Sequence, residues 1–137
     1  MRSFSYFNSK DTAFYKALIL GVVASVCIIA ILMCITTIVF TSSSLPPFEV
    51  IEYISVAIIA ISVYFGGYIA ARINKSKGLI IGLLVGSIIL ISVLITGFCT
   101  VDVNLTLITL LKVVITPLSS AVGGIKGVNI KEKIKIK

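Results

Sequence analysis

The feature that most constrains this chain is the length of its uncharged runs. No charged residue occurs from Ala17 to Phe40, from Tyr53 to Ala71, or from Gly78 to Val101. A fourth apolar run, Leu105 to Ile125, carries a single charge, Lys112. A helix the length of the first run spans about 36 Å, enough to cross a hydrocarbon core of about 30 Å with some tilt. Only 12% of the 137 residues are charged and 58% are hydrophobic, where soluble domains carry roughly a quarter charged. A water-soluble fold of this size needs more polar surface than the sequence holds, and its length allows one domain at most. The sequence therefore predicts an all-α, polytopic integral membrane protein, a bundle of four transmembrane helices at 17–40, 53–71, 78–101 and 105–125. An interfacial arm (1–16) and a basic tail (126–137) flank the membrane domain (17–125).

The breaks between runs agree with this reading. Residues 41–49 hold three serines and Pro46-Pro47, which disfavour a helix. The link Arg72 to Lys77 is short, which makes the second and third spans antiparallel neighbours. Asp102 and Asn104 mark a tight turn, with residues 102–104 suited to helix capping. The tail KGVNIKEKIKIK alternates apolar and basic residues and reads as a short strand or an interfacial segment that frays. The arm, with its aromatic and basic residues, suits a membrane interface and is expected to be retained.

Lysine and arginine are distributed unevenly. The arm holds three, the 72–77 turn three and the tail five; the other two links hold none and carry Glu49, Glu52 and Asp102 instead. This bias places both termini and the 72–77 turn in the cytoplasm, with Arg72, Lys75, Lys77 and Lys126 against lipid headgroups. The net charge of +7 is thus explained without nucleic acid, since no basic helix face or aromatic stacking platform accompanies it.

Small residues cluster at the same helix ends. They are Gly21 and Ser25 in the first span, Gly66 and Gly67 in the second, Gly78, Gly82 and Gly86 in the third, and Gly123 and Gly124 in the fourth. In lipid, helices associate by close packing and interhelical hydrogen bonds, so such residues let backbones touch. The expectation is a bundle tight at its basic end and looser at the other. Two uses of the Gly78/Gly82/Gly86 ridge stay open: packing within the chain, or docking a partner or second copy. The glycine spacing also fits two parallel helical hairpins, although chance similarity among glycine-rich membrane helices reads equally well.

Chemistry-bearing residues are few. There is no histidine, and Cys27, Cys34 and Cys99 make no metal-binding spacing and read as small hydrophobes. No carboxylate lies mid-span and no phosphate-binding glycine loop occurs. The sequence therefore implies no catalytic residue, metal or cofactor, and no enzyme. Lys112 is the one charge well inside a span, a functional-site candidate by its cost. It either snorkels to the interface, pairs with Glu49, Glu52 or Asp102, or faces a polar cavity. Pro117, beside Thr116, Ser119 and Ser120, deletes a backbone hydrogen bond and is expected to kink the fourth span.

The segments Gly66-Gly67, Ala70-Ala71-Arg72, Lys77-Gly78, Gly82 and Gly86, and again Gly123-Gly124 to Gly127-Val128-Asn129, resemble a family of small four-helix membrane proteins of Gram-positive bacteria (Firmicutes). That family carries only a domain-of-unknown-function label. The resemblance implies a four-span protein of the bacterial cytoplasmic membrane and transfers no activity. The functional expectation is a non-catalytic accessory or structural protein of the bilayer. It associates with itself or a larger membrane complex through its glycine-lined faces. The alternative is a small homo-oligomeric transporter or channel, or a holin-like pore former, using Lys112 and the Pro117 kink.

Overall fold

A computed structural model describes residues 2–42, 48–74, 77–100 and 107–134. It consists of four helices: α1 (Arg2–Ser42), α2 (Phe48–Asn74), α3 (Gly78–Thr100) and α4 (Leu107–Ile134). Each is long and apolar enough to cross a membrane, with candidate spans at Thr12–Ser42, Glu49–Asn74, Gly78–Cys99 and Leu107–Ile130. The described residues contain no strand.

The helices exceed the uncharged runs at both ends of the chain. The arm does not form a separate segment: α1 is continuous from Arg2, since no proline or glycine before Gly21 interrupts it. The tail is not a strand as far as Ile134, because α4 carries on through it. Lys and Glu are good helix formers, and cations at a helix C-terminus complement its dipole, which overrides the alternating pattern. At the other links α2 begins just after Pro46-Pro47, and Glu49 sits in its first turn. The serine–proline loop (43–47), Lys75 and Ser76, the turn at 101–106 and the last three residues lie outside the described residues.

The start of α3 is capped locally. Lys77 adopts φ 50°, the left-handed region, and its carbonyl accepts hydrogen bonds from the amides of Ile80 (3.1 Å) and Ile81 (3.2 Å). Lys77 thus caps α3, at the modest cost of a non-glycine residue in that region.

Packing order differs from chain order. The helix α2 touches all three others, α3 also packs on α4, and α1 touches α3 only lightly and α4 not at all among the described residues. In consequence 11% of the first span is buried against 44% of the second, which makes α2 the hub and α1 an outlying helix. Contact pairs fix the directions. Gly21 meets Ala70 and Ser25 meets Gly66, so α1 and α2 are antiparallel. Gly78 meets Gly124 and Gly82 meets Ser120, so α3 and α4 are antiparallel. Gly123 meets Tyr64 and Gly127 meets Tyr68, so α2 and α4 are parallel. The chain is two hairpins lying side by side in the same sense, joined where α2 packs on α4.

The apolar core belongs to α1, α2 and α3. Ile59, Val63, Ala70, Ile81, Val85 and Ile89 form it, with Phe14, Leu18, Val22, Ile29 and Val93 packed around them. The fourth helix contributes only Ala121 to the buried hydrophobic residues; it is held by backbone proximity instead.

Candidate functional site

Two places in the molecule could carry function: the junction where glycines bring three helices together, and the charged position Lys112 beyond it.

The junction is built from missing side chains. A Cβ on Gly78 would collide with the carbonyl of Gly124, one on Gly82 with the carbonyl of Ser120, and one on Gly86 would lie 2.9 Å from the Pro117 Cα. The whole ridge of α3 is therefore occupied by α4 of the same chain. From the other side, a Cβ on Gly123 would strike the Tyr64 carbonyl, one on Gly67 the Ser120 carbonyl, and one on Gly127 would lie 2.5 Å from the Tyr68 carbonyl. On α1, a Cβ at Gly21 would lie 2.5 Å from the Ala70 Cβ and 2.9 Å from the Gly66 carbonyl. At Gly66 it would overlap the Ser25 hydroxyl, which fills the space that glycine leaves. Among the glycines only Gly97, near the far end of α3, has no such neighbour within 4 Å.

Four buried hydroxyls accompany these contacts, and each has an acceptor. Ser25 donates to the Gly21 carbonyl (2.9 Å), Ser62 to Ile58 (2.7 Å) and Thr116 to Lys112 (2.6 Å), all one turn back on their own helix. Ser120 differs: its hydroxyl donates to the Gly82 carbonyl of α3 at 2.6 Å, across the interface. No buried side-chain polar atom among the described residues lacks a partner. The junction is thus close-packed and satisfied, with nothing aimed at a ligand. Ser62 and the carbonyls of Tyr64 and Tyr68 escape a reading of the sequence, and Gly127, which enters there only through the family resemblance, is not read as a packing residue. Ser62 and Gly127 extend the four-residue spacing of Gly66 and Gly123 by one turn, which was the available signal; backbone carbonyls give none.

A family model matches residues 14–127, the full extent of this packed bundle. Its description is "protein of unknown function (DUF3792)". The chain belongs to that family. The match begins at Phe14, which packs on the core, and ends at Gly127, which packs on Tyr68, so the DUF3792 unit coincides with the glycine-packed bundle. No curated protein and no solved structure matches the chain.

Lys112 sits in α4 one turn before Thr116 and Pro117, and α4 continues through the proline. It is half-buried. Glu49 and Glu52, both exposed on α2, form no ion pair with it; Asp102 lies outside the described residues. A charge near the middle of a bilayer costs about 2.5–3.5 kcal/mol or more on insertion scales, less when the side chain climbs to the interface. Arg72, Lys77 and Lys126 are all exposed at the glycine-rich end. Their backbones are gathered by the contacts of Gly78 with Gly124 and Gly127 with Ala71. Cys27, Cys34 and Cys99 are free and exposed, and no group of three potential metal ligands occurs among the described residues.

Proposed function

We propose that this protein is a non-catalytic membrane component that works by association within the bilayer, with itself or with a larger membrane complex. One observation carries the reading. The small-residue ridges that could serve a partner are consumed inside the chain, producing a satisfied, close-packed wedge, while α1 and the end of the bundle away from the basic turn keep long apolar faces uncovered. Association would then use α1, the least buried helix, rather than the glycine ridge itself, and would rest on close packing or hydrogen bonds there, since lipid already satisfies apolar exposure alone. The lysine and arginine distribution supports placing the basic end and both termini in the cytoplasm of a bacterium, with Arg72, Lys75, Lys77 and Lys126 at anionic headgroups.

The test is gentle extraction from native membranes followed by mass spectrometry of the intact complex. A stoichiometric second protein or a discrete homo-oligomer is the expected result. A bare monomer that keeps its lipid would sink the association reading.

A second reading rests on a different observation. Lys112 is half-buried five residues before Pro117, in a stretch of α4 that is more exposed than the rest, and an ionisable residue inside a span marks a candidate ion or substrate pathway. One four-helix chain is small to enclose a pathway, so this reading needs a ring of copies. A homo-oligomer whose ion conductance or substrate flux in vesicles disappears on Lys112→Leu would favour it over a structural role.

A further inference from the structure

We propose that the outer flank of the seam between α2 and α4 is an open track along which a phospholipid headgroup crosses the bilayer, its acyl chains staying in the surrounding lipid. This rests on the pathway reading of Lys112 and not on the association reading.

Two polar stripes border the seam. On α4, Lys112, Ser119 and Lys126 recur every seven residues, which keeps them on one face. On α2, Tyr64, Tyr68 and Arg72 recur every four residues. The contacts of Gly123 with Tyr64 and Gly127 with Tyr68 hold the two stripes side by side. No carboxylate occurs between Lys112 and Lys126 or between Tyr64 and Arg72.

Helical spacing also fixes which way the stripes look, since residues two apart lie on nearly opposite sides of a helix. Tyr64 and Tyr68 each stand two residues from Gly66, and Arg72 two from Ala70; Gly66 and Ala70 pack on α1. Ser119 stands two residues from Pro117 and Ala121, and Lys126 two from Gly124; those three pack on α3. Both stripes therefore face away from α1 and α3. The Tyr64 ring meets that of the exposed Phe65, with centroids 5.7 Å apart.

Hydrogen-bond donors lie open along the flank. The hydroxyls of Tyr64, Tyr68 and Ser119 have no hydrogen-bond partner among the described residues, whereas those of Thr116 and Ser120 beside them do. All three residues are half-buried. No buried side-chain polar atom among the described residues lacks a partner, so these three hydroxyls reach the surface. A serine can turn back to its own helix, but a phenol is too far from its own carbonyls to do so. Tyr64 and Ser119 stand within a turn of the middle of their spans, where lipid offers a hydroxyl no partner. Lys112 lies towards one end of the track. Arg72 and Lys126, brought level by the contact of Gly127 with Ala71, lie towards the other. Successive stations on α4 are about 10 Å apart.

The donors select what travels. Hydroxyls and cations both donate hydrogen bonds, and a phosphate accepts them from each. The cations attract headgroups at either end, and the hydroxyls take the place of water across the middle. An inorganic anion on this flank would face hydrocarbon on its open side. A lipid needs no enclosure, because its tails are already solvated there, so one chain suffices where an aqueous pathway needs a ring.

The experiment reconstitutes the full chain into vesicles of phosphatidylglycerol and phosphatidylethanolamine with a trace of tail-labelled fluorescent phosphatidylglycerol. An impermeant reductant added outside bleaches only label that reaches the outer leaflet. At dilutions that leave a single chain per vesicle, the parent should expose the inner-leaflet label as well. Tyr64→Phe/Tyr68→Phe/Ser119→Ala should slow exchange by about tenfold or more, as expected for losing a hydrogen bond to a charged group. Its unfolding midpoint should stay near the parent's; if it does not, Ser119→Ala alone serves, with slowing in the same sense. Ser87→Ala removes an exposed α3 hydroxyl that bonds its own helix, and should exchange at the parent's rate. No exchange by the parent, hydroxyl variants as fast as the parent, slowing by Ser87→Ala, or exchange only with several chains per vesicle would each overturn the track. Albumin extraction of the labelled lipid separates exchange from entry of the reductant. Entry that depends on Lys112, without lipid exchange, would uphold the pathway reading and overturn the track.

Discussion

The two halves of this bundle are made of the same kinds of residue and are packed by different rules. Next to the basic turn, Gly21, Gly66, Gly67, Gly78, Gly82, Gly123 and Gly124 bring main chains into contact, and the buried Ala17, Ser25, Ala70, Ala71, Ile81 and Val85 lie there. At the opposite end Ile31, Ile35, Ile38, Ile91, Ile95, Phe98, Leu107 and Leu110 are more than half exposed. The difference is not one of hydrophobicity, since the exposed half is as apolar as the buried one. Lipid offers an isoleucine the same surroundings as a protein core does, so bulk apolar content cannot hold membrane helices together. What holds them is the close approach that a missing Cβ allows, and every glycine but Gly97 stands towards the basic end.

This contrast can be broken most sharply at its tight pole. Gly123→Leu places a side chain against the Tyr64 carbonyl, a backbone group that cannot step aside. Overpacking of this kind costs about 3 kcal/mol or more, and the loss should appear as a large fall in unfolding midpoint in detergent or bicelles. Gly82→Leu should behave the same way, and would keep its fold only if the α3 ridge were free for a partner.

A second substitution tests whether Ser25 and Gly66 form one unit. Gly66→Ala overlaps the Ser25 hydroxyl and crowds the Gly21 carbonyl at 2.8 Å, for an expected loss of about 1–3 kcal/mol. Adding Ser25→Ala removes the first clash and leaves the second, so the double variant should recover part of that loss. A coupling of at least about 0.5 kcal/mol in a double-mutant cycle is expected; strict additivity would show that the two residues do not share the space.

Ser120→Ala comes next in size. It removes a hydrogen bond from a side chain to the neighbouring helix, at the Gly82 carbonyl, without adding bulk. Interhelical bonds in membranes average about 0.6 kcal/mol, so the expected change is small but measurable, and smaller than that of any glycine in the junction.

How much of this the sequence revealed follows from what each feature depends on. The four spans were legible because charge is costly in hydrocarbon, and few folds other than a membrane helix tolerate its absence over stretches as long as Ala17–Phe40 or Gly78–Val101. The tight end was legible because glycines at four-residue spacing mark a face. Which face meets which was not: the ridge Gly78–Gly86 reads equally as an internal seam or an external one until α4 is seen lying in it. The partner surfaces for Gly123 and Gly127 are the main-chain carbonyls of Tyr64 and Tyr68, and a carbonyl has no residue type to recognise. The helical tail was obscured because Ile and Lys alternate with the period of a strand, while the pull of the preceding helix is invisible to a local pattern. The surroundings of Lys112 depend on how the helices pack beyond the glycine junction, which no spacing encodes.

The smallest expected effect sharpens the comparison from its loose pole. Gly97 continues the α3 series towards the far end, yet no atom lies within 4 Å of where its Cβ would be. If packing rather than residue type decides the cost, Gly97→Leu should change stability by no more than about 0.5 kcal/mol, against the large loss at Gly82 on the same helix.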